Sequence, residues 1–65
     1  IAWYYGEILR DRRKELKITQ QELAEKVGTA RSYIARVEKG ETDIQISSFF
    51  RIARALGIEF TPTFL

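Results

Sequence analysis

The sequence predicts an all-α fold, a compact four-helix domain of 65 residues with a short C-terminal β-strand that a dimer could pair. Three observations carry that expectation. Within 19–40, two runs of apolar residues at helical spacing flank a single glycine. Within 46–56, a further run ending at Gly57 presents a broad apolar face. The opening segment, up to Leu16, holds an apolar stripe of the same period.

The chain opens on the aromatic run Trp3-Tyr4-Tyr5, after which Ile8, Leu9, Arg12, Arg13 and Leu16 recur at helical spacing. That is an apolar stripe flanked by cations. Glycine is a poor helix former, so Gly6 leaves two starts open for this helix, Trp3 and Glu7. The three aromatics read as core or dimer contacts. Lys17-Ile18 is a short link, with Ile18 placed as a hydrophobic staple against Leu23.

Thr19-Gln20-Gln21-Glu22 has the form of a capping box, Thr19 accepting from the backbone of Glu22 while Glu22 reaches back. Leu23 and Val27 then share one face of a helix over about 20–27, and Ala24 leaves room for a second helix to come close. Gly28 falls where a left-handed residue ends that helix. Ile34 and Val37 mark a second helix over about 31–39. Residues 41–45 read as a loop. The fourth helix runs over about 46–56 with Phe49, Phe50, Ile52, Ala53 and Leu56 on its apolar face, and either Asp43 or Gln45 can cap it. In the tail the period changes: Ile58 and Phe60 alternate with Glu59 and Thr61, which favours a strand, and Pro62 confines it to an edge.

Composition narrows the chemistry. There is no cysteine, so disulfides and thiolate metal sites are excluded, and no histidine, which removes the usual general base and the commonest nitrogen ligand of zinc. Paired carboxylates such as Glu22 with Glu25, or Glu38 with Glu41, have helix-surface spacings rather than those of a pocket. The expectation is therefore no catalytic residue, no metal and no cofactor. No apolar run is long enough to span a membrane and no signal peptide is apparent, which fits a cytoplasmic protein. A first residue of Ile1 rather than methionine points to a trimmed or processed piece. Net charge is only +2. Its distribution says more: Arg10, Arg12, Arg13, Lys14 and Lys17 cluster early, and Arg31 and Arg36 lie on the helix after Gly28, the pattern of a phosphate-binding surface.

The segment 19–40 is a helix-turn-helix by its spacing, and it resembles the lambda-repressor-like family of that class, the xenobiotic-response-element type. Gln20, Leu23-Ala24, Gly28, Ile34, Glu38 and Gly40 occupy the family's marked places. The segment 49–57, FFRIARALG, matches its next helix, so the likeness covers about 8–58. The resemblance implies sequence-specific binding of double-stranded DNA by a recognition helix in the major groove, in a transcriptional regulator, usually a repressor. Carried over, the base-reading positions are Ala30, Arg31, Ser32 and Arg36. Arginine suits guanine, whose two major-groove acceptors it engages bidentately, while Ala30 offers only a methyl.

Gln20 opens the first motif helix, where free N–H groups attract a phosphate. Thr19, Tyr33, Lys39 and Gln45 are further phosphate candidates, the Tyr33 hydroxyl serving equally well to solvate the surface. Arg13 and Glu38 fall on positions that pair the first helix with the end of the recognition helix, aiming the remaining guanidinium donors toward phosphate. The alternative is two exposed charges of little consequence.

The chain departs from the family twice. Ala30 stands where a Ser or Thr N-cap is usual, a loss of about 1 kcal/mol unless Thr29 takes over. The extended tail replaces a fifth helix and resembles HipB-like and HigA-like antitoxins, whose tails form strands shared between subunits. That implies a homodimer reading two half-sites, and it adds an alternative function: an antitoxin that neutralises a protein toxin and autoregulates its operon.

Overall fold

The computed structural model describes residues 3–58, excepting the Trp3 side chain, and they form four α-helices. These are α1 Trp3–Glu15, α2 Gln20–Val27, α3 Arg31–Lys39 and α4 Ile46–Ala55. Among the described residues there is no strand. The expected strand falls largely on 59–65, outside them. Ile58, placed at its start by the alternation, instead closes α4: its N–H donates to the Ala53 carbonyl at 2.9 Å and its side chain packs against the core.

Packing runs α1 on α3, α3 on α2 and α2 on α4. The core is built from Leu9 of α1, Leu23 and Ala24 of α2, Ile34 and Val37 of α3, Ile44 of the loop, and Phe49, Ile52, Ala53 and Leu56 at α4 and its end. Leu23 and Ala24 are both fully buried, as the junction of α2 with two other helices requires. The apolar stripes are narrower than the sequence suggests. Ile8 on α1 and Leu16 just past it stay exposed, because the face that packs holds Tyr5, Gly6, Leu9 and Arg13, about four residues apart. Phe50 is likewise exposed on α4; one residue from Phe49, it is turned about 100° away from the core.

Gly6 lies inside α1 rather than before it. A Cβ there would collide with the Val37 carbonyl oxygen, so glycine lets α1 approach the end of α3 backbone to backbone. All four helices end alike. Two or three residues past each helix, Ile18, Thr29, Glu41 or Ile58 donates its N–H five residues back, to the carbonyls of Arg13, Ala24, Arg36 and Ala53. The left-handed residue this needs is Gly28 after α2, at φ 74°, but after α1 it is Lys17, at φ 58°. Arg12 ties α1 to the end of α4, its Nε donating to the Leu56 carbonyl at 3.0 Å.

Candidate nucleic-acid interface

Between α2 and α3 lie Gly28, Thr29 and Ala30, so α3 leaves the turn with its first residues exposed. At about 100° per residue, Ile34, Val37 and Glu38 share the buried side of α3. Ala35, Lys39, Ser32 and Arg36 fall on the other side, with Arg31 at the margin of that arc, about 20° from Glu38, and all but the half-buried Ala35 are exposed. That arc holds three cations and no acid. Arg31 and Arg36 sit five positions apart, about 7.5 Å along the axis.

The start of α2 lies beside this arc. Thr19 completes the capping box: its Oγ1 accepts from the Glu22 N–H at 3.0 Å, and its own N–H donates to Glu22 Oε1 at 3.1 Å. Ala30 is the N-cap of α3, extended at φ −83° and ψ 149°, and no side chain caps the helix there, so Thr29 does not substitute. Gln45, not Asp43, is the N-cap of α4; it too makes no side-chain cap. Its side chain and that of Lys39 are exposed, on either side of the loop between α3 and α4. Tyr33 is half-buried and packs against the core.

Beneath the arc lies a chain of polar contacts. Arg13 Nε and Nη2 donate to Glu38 Oε2 and Oε1 at 2.7 and 3.1 Å, a bidentate grip. Arg13 is 9% and Glu38 4% exposed, so this is a buried pair and not two solvated charges. The third nitrogen of Arg13 is not aimed outward. Nη1 donates to the Ile18 carbonyl at 2.8 Å, tying the α1–α2 link to the same guanidinium. Gln20 joins the cluster, Nε2 donating to Glu38 Oε1 at 3.0 Å, and its Oε1 accepts from Arg31 Nη1 at 3.4 Å. The residue types alone assign Gln20 to the surface. Its inward contacts escape the sequence because they depend on where α3 crosses α2.

Comparison with known proteins follows the same segment. The profile of the helix-turn-helix family matches residues 9–62. An uncharacterized HTH-type transcriptional regulator of Methanothermobacter thermautotrophicus is 50% identical over 52 residues, which span 80% of this chain and 75% of that protein. The immunity repressor protein of Bacillus phage phi105 is 41% identical over 54 residues; the match spans 83% of this chain and 38% of the repressor. Among solved structures, the restriction-modification controller protein C.AhdI from Aeromonas hydrophila is similar, with a TM-score of 0.80 and 34% identity over 85% of this chain and 83% of that one.

Proposed function

The chain belongs to the helix-turn-helix family of DNA-binding transcriptional regulators, and on that footing we propose that it represses by laying α3 in the major groove of an operator. The observation that carries this is the exposed arc of α3: three cations and Ser32 face outward while the other side is locked into the core. Arg31 and Arg36 read base edges, each worth about 1–3 kcal/mol of discrimination when bidentate to guanine. Ser32 donates or accepts, and Ala30 sets its methyl against the base edges. Thr19, Gln20, Lys39 and Gln45 ring the arc and grip phosphate, with the Tyr33 hydroxyl at its margin. Gln20 can hold phosphate while bonded inward, since Nε2 carries a second hydrogen.

One recognition helix covers too few base pairs for useful specificity. The operator therefore has two half-sites, read by a two-fold dimer about 34 Å apart, and the protein works in the cytoplasm, at the nucleoid. The antitoxin alternative rests on the aromatic N-terminus and on a tail outside the described residues, and nothing in the described structure favours it.

Selection from a random pool of duplexes tests this reading. An enriched half-site, repeated with two-fold symmetry at a spacing of about 10–10.5 base pairs between centres, is the expected outcome. Recovery of duplexes without a common sequence overturns sequence-specific binding.

A further inference from the structure

Resting on the proposed reading of base edges by Arg31, we propose that the buried Glu38 is a positioning residue for base readout, acting through the amide of Gln20. Arg13, Glu38, Gln20 and Arg31 make one continuous line of hydrogen bonds from the core to the exposed arc of α3. Its direction is fixed by what each group is able to do. Glu38, ionised and held by the Arg13 fork, only accepts, so Gln20 must turn Nε2 toward it. That leaves Gln20 Oε1 outermost. A guanidinium only donates, so Oε1 is the one end of the amide that Arg31 accepts as a neighbour.

The buried carboxylate thus selects which end of a surface amide faces the base-reading arginine. The last link, at 3.4 Å, is long for a hydrogen bond and uses one Nη1 hydrogen. It biases the rotamer of Arg31 and leaves the Nε–Nη2 edge free for a bidentate contact with guanine. Ordering the side chain before DNA arrives lowers the entropy lost on binding. The gain falls on the base pair that Arg31 reads. Arg36 has no hydrogen bond to this line of side chains.

The test uses the full chain, its selected duplex and a panel of single-base-pair variants of that duplex. Arg31→Ala first identifies the base pair that Arg31 reads. Gln20→Met then keeps the side-chain length and the Arg13–Glu38 pair but removes both amide ends, whereas Glu38→Gln keeps Gln20 and permits its amide to reverse. Each is expected to lower discrimination at the Arg31 base pair by about two- to tenfold, the range of one modest hydrogen bond. Discrimination elsewhere should hold, and neither change should lower it further in the Arg31→Ala background. A uniform fall in affinity at all duplexes reports lost phosphate contact or stability and leaves these ratios untouched.

Discrimination that survives Gln20→Met, or that falls equally at the other base pairs, overturns the relay alone. No base-specific loss in Arg31→Ala overturns the base-reading role, and the relay with it. Should Glu38→Gln fail to fold by circular dichroism, Gln20→Met decides.

Discussion

The Arg13–Glu38 pair joins the fold to the proposed interface through the amide of Gln20. Two charges out of water are costly, and the fork, together with the Ile18 carbonyl and the Gln20 amide, satisfies what the burial leaves bare. Removing one partner strands the other charge, at about 3–5 kcal/mol, a large share of the stability of so small a domain. Each single alanine, Arg13→Ala or Glu38→Ala, is therefore expected to be severely destabilised, and the double variant to cost less than the sum. Denaturant unfolding of the four proteins measures it, and strict additivity would refute the coupling. Arg31 is the contrasting case, an exposed side chain whose loss the fold should tolerate. Arg31→Ala is expected to cost about 1–3 kcal/mol on the selected operator and little on random duplex. Equal losses on both in competition assays would exclude it as a base reader.

At the scale of elements, α1 and α3 meet at Gly6 and the terminus between Ala30 and Arg31 is open. Replacing Gly6 by alanine sets two effects against each other. Helix propensity improves by about 1 kcal/mol, while the added methyl drives into the Val37 carbonyl, backbone that cannot rotate away. Overpacking of this kind costs about 1–3 kcal/mol, so the collision wins and Gly6→Ala should lower the melting temperature despite the better helix former. A rise in melting temperature would show that the two helices part without penalty. Ala30→Ser runs the other way. The backbone there is already extended, as an N-cap is, and lacks only a side-chain oxygen, so serine should stabilise by about 0.5–2 kcal/mol. Thermal melts of the two proteins check it, and an unchanged melting temperature would mean that the free N–H groups of α3 are satisfied by water at no cost.

For the whole molecule the open matter is how two reading heads are held at operator spacing. The alternation of apolar and polar residues in the tail, with Phe60 and Phe64, suits a contact between two copies, and we propose this segment, which lies outside the described residues, as the dimer interface. The truncation that tests it should end after Ile58, because that residue caps α4 and packs on the core. Sedimentation of the full chain is expected to give a dimer and of the truncated chain a monomer with its melting transition retained. A dimer that survives truncation, or a full-length monomer at high concentration, removes the tail as the interface.

Local chemistry in the sequence determined the helices, because their signals act within one turn. The Thr19–Glu22 capping box, Gly28 at the left-handed position and the spacing of Leu23, Val27, Ile34 and Val37 each need only neighbours three or four residues away. The pairing of Arg13 with Glu38 was legible only through the family pattern, since 25 residues separate them. What tertiary structure alone decided is everything set by how the helices cross. It made Gly6 a contact point rather than a helix boundary, and left Phe50, Ile8 and Leu16 outside the core although their period matched it. It turned Lys17 left-handed without a glycine, and it bent Gln20 inward to Glu38 while keeping it beside Arg31. A residue's type and spacing fix which side of its own helix it occupies, but the partner that side meets depends on distances across the fold that no local pattern contains.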